Sequence, residues 1–83
     1  MNKLLYFTAG YCQPCKMFGP TMDKVAQSGI PVSKLDVDQN PEMVQKYGIK
    51  SIPTVIKIDS TGVIRDKFSG VKTQQEVINF YNG

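Results

Sequence analysis

The 83 residues suffice for one domain, covering 1–83, with a modest core and no room for a separate cofactor-binding module. A chain this short buries only roughly 60–65% of the surface its unfolded form exposes. A composition of 41% hydrophobic and 20% charged residues is that of an ordinary soluble chain. The net charge of +3, from ten Lys/Arg and seven Asp/Glu, is scattered from Lys3 to Lys72. It forms no concentrated basic stripe, so nucleic-acid binding is not expected.

The N-terminus reads Met-Asn-Lys-Leu-Leu-Tyr-Phe, and its apolar run stops after four residues, too short for a signal peptide's hydrophobic region. No stretch approaches the length of a membrane span. A cytoplasmic protein is the expectation, in a compartment that keeps ordinary thiols reduced. Residues 3–8, Lys-Leu-Leu-Tyr-Phe-Thr, form a near-continuous apolar run of strand length, as in a strand covered on both faces. A helix is predicted over 13–28, with Phe18, Met22, Val25 and Ala26 on one apolar face. Pro14 suits its first turn, Pro20 predicts a kink, and Gly29 ends it. Val32 to Val37 reads as a second strand, preceded by Ile30-Pro31, for which a trans bond is expected.

Asn40-Pro41-Glu42 is a helix start: an N-cap, then proline, then an acid in the first turn. That helix carries Met43, Val44 and Tyr47 and stops at Gly48. Thr54 to Ile58 and Val63 to Phe68 are strands joined by the turn Asp59-Ser60-Thr61-Gly62, a hairpin. Gly70 breaks the chain. Thr73-Gln74-Gln75-Glu76 is a capping box opening a last helix, with Val77, Ile78, Phe80 and Tyr81 buried. The order β-α-β-α-β-β-α predicts a small α/β domain. Its sheet should be mixed and four-stranded with helices on both faces, and the first two strands parallel through a right-handed crossover.

The chain holds no histidine and no tryptophan. Without imidazole there is no Ser-His or Cys-His nucleophile, and the commonest metal ligand is missing. Chemistry at neutral pH falls to Cys12 and Cys15, three positions apart, or to a strongly shifted Lys or carboxylate. A structural zinc takes four ligands, and this pair supplies two, so only a metal shared between two chains would complete the site. Two unrelated buried cysteines are a second reading. Geometry favours a third, a redox dithiol. Cys12 caps or precedes a helix N-terminus, where unsatisfied N–H groups and the helix dipole stabilise a thiolate. Cys15, one turn on, can reach the first sulfur and resolve a mixed disulfide. A C-x-x-C pair beside a βαβ pattern points the same way.

Four stretches sharpen the reading: "CQPCK", "DVDQNP", "KYGIKSIPT" and the late Gly70. In order and spacing they resemble the thioredoxin family, over essentially all 83 residues. The chain looks like a short, glutaredoxin-sized thioredoxin without the family's N-terminal strand and helix. The resemblance implies a thioredoxin-like fold and a protein-disulfide reductase that needs no cofactor beyond a Cys12–Cys15 redox disulfide. It makes Cys12 the attacking sulfur and Cys15 the resolving one. It makes Pro53 a cis proline packed against them, with Ile52 offering its backbone to an extended substrate. Tyr11, Gln13, Pro14 and Gly70 join them as substrate contacts, although Gly70 is also readable as a plain turn glycine. Disulfide-containing protein substrates are implied, ribonucleotide reductase among them. A thioredoxin reductase or similar reductant is implied too, and the protein is expected to be a monomer.

Departures from the family pattern are as informative. Tyr11 stands where tryptophan is usual. Gln13 replaces a glycine between the cysteines, at a position that tunes redox poise. Thr8 replaces a second tryptophan. Tyr6, six positions before Cys12, replaces a buried aspartate that the family uses to help the resolving sulfur lose its proton. A phenol titrates near pH 10 and is no base at neutral pH, though it can donate a hydrogen bond. Lys34, the usual companion of that aspartate, should therefore reach solvent, pair with Asp36 or Asp38, or bond to Tyr6. If it stays close, its charge can favour the Cys15 thiolate; a plain solvated edge lysine is the other reading. Two further functions differ in class: a glutathione-dependent, glutaredoxin-like reductase, and a non-catalytic binding module on the same fold.

Overall fold

A computed structural model describes residues Met1–Gly83. The apolar run at the N-terminus is strand β1, Lys3–Thr8. It is followed by helix α1, Gln13–Gln27, strand β2, Val32–Asp36, and helix α2, Pro41–Tyr47. The hairpin β3, Thr54–Ile58, and β4, Ile64–Ser69, then leads to helix α3, Gln74–Asn82. The sheet order is β2-β1-β3-β4, with β1 parallel to β2 and antiparallel to β3. This is the expected four-stranded mixed sheet and element order. No helix is long and apolar enough to cross a membrane.

The central position of β1 explains its composition. Successive side chains of a strand point to opposite faces. Leu4 and Tyr6 pack with Phe18, Met22 and Val25 of α1 and Val77 of α3. Leu5 and Phe7 pack on the other face with Tyr47 of α2 and with Ile56 and Ile58. Both faces are covered, so no polar alternation survives. The edge strand β4 is mostly exposed, and a register shift between Lys57 and Ile58 marks where it meets β3.

Some local expectations need correction. Ala26 is exposed, because the buried positions of α1 are Cys15, Phe18, Met22 and Val25. That 3-4-3 spacing holds one stripe toward the sheet, and Ala26 lies a further 100° round the helix from Val25. Asn40 occupies the N-cap of α2 without a side-chain cap bond. Its amide instead donates to the Asp36 carbonyl at 2.9 Å, tying the helix start to the end of β2. In α3 only Val77 is fully buried; Ile78, Phe80 and Tyr81 are half-buried around it.

The capping box of α3 forms in both directions: Glu76 N–H donates to Thr73 Oγ1, and Thr73 N–H donates to Glu76 Oε1. The other end of α3 is tied down by Lys57. This buried lysine donates to the carbonyls of Phe80 at 3.0 Å and Gly83 at 2.8 Å. A cation among carbonyls at a helix C-terminus is favoured by the orphan acceptors and the dipole. The sheet and both helices of the first face are thereby held rigid beneath the loop that carries the cysteines.

Candidate active site

The loop from β1 to α1 sets both sulfurs. Cys12 N–H donates to the Ala9 carbonyl at 3.2 Å, closing a turn that brings Cys12 to the N-cap of α1 in an extended conformation. Its Sγ accepts the Cys15 N–H at 3.2 Å, the bond that a capping hydroxyl or carboxylate usually makes. Pro14 fills the first turn, where an N–H has no helical partner to lose. No acidic residue sits in that turn to oppose a negative sulfur. The structure joins Cys12 and Cys15 as a disulfide, with Cα atoms 5.2 Å apart. Cys12 is 9% exposed and Cys15 3%, so Cys12 is the less buried residue of the pair.

The segment before β3 closes over the pair. The Ile52–Pro53 bond is cis, whereas Ile30–Pro31 is trans. Cys12 Sγ lies 3.9 Å from the Ile52 carbonyl oxygen. Neither the N–H nor the carbonyl of Ile52 has a backbone partner. Gly70 N–H donates to the Pro53 carbonyl at 2.9 Å, which fixes the end of β4 beside the same segment. Gly70 has φ 92°, a conformation that side-chain-bearing residues rarely adopt, and a Cβ there would meet open space. The turn geometry alone accounts for glycine, and the space beside it remains open.

Tyr11 is largely exposed at the mouth, and Gln13 and Pro14 are exposed on the first turn of α1. With Val37, Val44, Ile49 and Ile52, Tyr11 lines an apolar groove of about 170 Å³. Val37 and Ile52 also pack against Ala9, Cys12 and Cys15. Sequence reasoning missed Ala9 and Val37. Val37 did carry a signal, as the one apolar residue in the polar run Asp36-Val37-Asp38-Gln39-Asn40.

Behind Cys15 the surroundings differ. Tyr6 is buried and stacks edge-on against Phe18, ring centroids 5.6 Å apart. Its hydroxyl lies 3.3 Å from the Cys15 carbonyl and 3.4 Å from Thr8 Oγ1. One proton serves both acceptors, so the phenol ties β1 to the first turn of α1. Burial pushes the Tyr6 hydroxyl above its ordinary range; the Thr8 hydrogen bond works against this, and the Asp23 charge adds to it. The phenol is therefore neutral throughout the physiological range. A polar groove of about 370 Å³ reaches this side of Cys15, lined by Thr8, Lys16, Asp23, Lys34 and Asp36 among others. Lys34 is opposite Tyr6 in register but exposed; it forms no ion pair with Asp36 or Asp38 and no bond to Tyr6. Of the three courses open to it, it takes the one into solvent. Asp23 is a further residue missed from sequence, hidden by its place on the polar side of α1.

Comparison with known proteins agrees with this geometry. A family model described as "Thioredoxin" matches residues 1–82. The chain is 35% identical over 82 residues to a thioredoxin of Rickettsia bellii, covering 95% of this chain and 77% of that one. It is 34% identical over 77 residues to a mitochondrial thioredoxin of Bos taurus, covering 89% of this chain and 46% of that one. Among solved structures, thioredoxin-2 of a malaria parasite superposes with TM-score 0.90 at 27% identity, over 99% of this chain and 82% of that one. The thioredoxin of Fasciola hepatica superposes with TM-score 0.88 at 29% identity, over 98% and 78% respectively.

Proposed function

Because the chain belongs to the thioredoxin family and is thus a thiol–disulfide oxidoreductase, we propose that Cys12 attacks the substrate disulfide and Cys15 resolves the product. One observation carries the assignment: Cys12, the less buried residue of the pair, sits at the N-cap of α1, where its Sγ accepts the Cys15 N–H. In the reduced protein the same N–H and the helix dipole favour a thiolate at Cys12. The thiolate bonds to one sulfur of a protein disulfide and expels the other as a thiolate, which takes up a proton. Cys15 then loses its proton, attacks Cys12 Sγ and expels the second substrate sulfur. The substrate gains two electrons and two protons, and the protein is left with the Cys12–Cys15 bridge.

Ile52 supports the substrate step. Its unpaired N–H and carbonyl beside Cys12 suit an extended chain in short β-type pairing. Tyr11, Gln13, Pro14 and Gly70, all exposed, border the same approach, with Tyr11 as its aromatic platform; Pro53 is fully buried and acts through the cis bond that presents Ile52. At the back, Tyr6 holds the Cys15 turn and Lys34 supplies a positive charge to the groove. The substrates are disulfide-bearing proteins, ribonucleotide reductase being one candidate, and a thioredoxin reductase or similar dithiol donor regenerates the pair. A reducing compartment such as the cytoplasm would suit this direction of electron flow.

The test is a pair of variants assayed on insulin. Cys12→Ser should lower turnover to background. Cys15→Ser should attack once and then accumulate as a mixed disulfide, visible by non-reducing electrophoresis. Full turnover by Cys12→Ser, or trapping by that variant in place of Cys15→Ser, would reverse or remove the assignment.

A further inference from the structure

The apolar groove beside Cys12 runs into a second groove of a different kind. The two share Ile49, Lys50 and Ser51; the second, of about 180 Å³, is completed chiefly by Thr54, Lys67 and Ser69. A closed set of hydroxyls forms part of its wall. Buried Thr54 donates to the Ser51 carbonyl at 2.7 Å, its Oγ1 lies 2.9 Å from Ser69 Oγ, and Ser51 Oγ donates to Ser69 at 3.3 Å. These groups satisfy one another, so the charged groups the groove leaves open to a ligand are the exposed ammonium groups of Lys50 and Lys67. Neither has an ion-pair partner, since the chain's one ion pair is Arg65–Asp59, and no carboxylate lines either groove.

The geometry points to a carboxylate-reading subsite: the polypeptide substrate carries Asp or Glu two residues from its target cysteine, and Lys50 and Lys67 receive it. This rests on the reading of Cys12 as the attacking sulfur and Ile52 as the backbone contact. An extended chain advances about 3.3 Å per residue and returns a side chain to the same face every second residue. Lys50, Ser51 and Ile52 line the apolar groove together, so a chain paired at Ile52 brings the side chain two positions from its cysteine over the wall the two grooves share. The occupant is one acidic side chain of the substrate.

Matched disulfide peptides carrying Glu or Gln at those positions, on either flank of the cysteine, test this. They are assayed with the parent protein, with Lys50→Gln/Lys67→Gln, and with two copies of the charge loss displaced to controls, Lys72→Gln and Lys3→Gln. Two exposed ion pairs predict about a two- to tenfold preference for the Glu peptide in kcat/KM, carried by KM. The preference should vanish in the Lys50/Lys67 variant and at roughly 0.5 M salt, and persist in the control variant. Equal rates on the two peptides, a preference that survives loss of Lys50 and Lys67, or equal loss in the control, would overturn the subsite. The stoichiometric reaction of each reduced protein with dithiodipyridine, a small uncharged disulfide, reports the sulfur chemistry alone. It should be the same in all of them. Failure there would count against the Cys12 assignment, whereas a normal reaction with no Glu preference counts against the subsite only.

Discussion

Cys12 and Cys15 share one bond, yet they face two unlike environments. In front of Cys12 lie an apolar groove, the cis Ile52–Pro53 segment and the exposed ring of Tyr11. Behind Cys15 lie a buried phenol and a polar groove holding carboxylates and ammonium groups. The front is built largely from backbone: an N-cap, a helix dipole and the free amide and carbonyl of Ile52. Backbone geometry persists under many side-chain changes, so the attacking half of the chemistry is robust. The back is built from side chains, chiefly the Tyr6 phenol, Thr8 and the charged groups of the polar groove. Proton handling at Cys15 is therefore the half open to variation, and substitutions on the two sides should separate accordingly.

The largest effect should come from the packing that holds the back in place. Phe18 is fully buried and meets Tyr6 edge-on and Phe68 at 6.2 Å between ring centroids. Phe18→Ala should cost about 3–5 kcal/mol in chemical denaturation. In a domain of this size such a loss threatens folding itself, so Phe18→Leu provides the graded comparison. Next comes Tyr6→Phe, which keeps the ring and removes the hydroxyl shared by Thr8 and the Cys15 carbonyl. A loss of about 0.5–1.5 kcal/mol is expected. Because burial raises the folded pKa of Tyr6 above its unfolded value, the neutral phenol's contribution is complete below roughly pH 10 and is lost as pH rises through the folded pKa. Thermal unfolding followed above roughly pH 10 should show a shallower alkaline decline in Tyr6→Phe. The rate of attack by Cys12 should not change; if it did, the front and back would not be separable.

The extent to which the sequence disclosed this division follows from the range of the signals. The β1 run, the Gly48 stop and the Thr73–Glu76 capping box are local patterns, and each appears in the structure at its expected place. The cysteine pair and Pro53 were legible because motif and spacing fix them along the chain. Asn40 was half legible: its position at the N-cap was local, but its bond to the Asp36 carbonyl depends on how β2 arrives. Asp23, Val37 and Ala9 were not found as site residues, because only the folded chain brings α1, the end of β2 and the loop after β1 around the same two sulfurs. The course of Lys34 was likewise a tertiary matter, decided by solvent access at the edge of the polar groove.

Lys34→Met tests the back with a smaller effect. A positive charge near Cys15 favours its thiolate, so removing it should move the alkaline rise of the resolving step to higher pH by less than about one unit. The attacking step, measured separately with Cys15→Ser, should keep its pH profile. An unchanged resolving profile would remove Lys34 from the site and leave solvent as the proton acceptor.

The smallest effect calibrates the others, because it lies far from both sulfurs. Hydrogen bonds from the Thr73 backbone N–H lower the Glu76 pKa, aided by the Thr73 side chain and, least, by Lys72. A carboxylate whose folded pKa is depressed contributes stability that is present above its unfolded pKa and is lost as pH falls through the folded one. Lowering the pH from about 5 to about 3 should therefore reduce the Tm of the parent more than that of Glu76→Gln. Glu76 is exposed, so salt should weaken the difference. The redox behaviour of Glu76→Gln at neutral pH should match the parent's. A capping variant that altered attack or resolution would show that small losses of stability alone perturb the disulfide. The effects of Tyr6→Phe and Lys34→Met would then no longer distinguish the two sides of the pair.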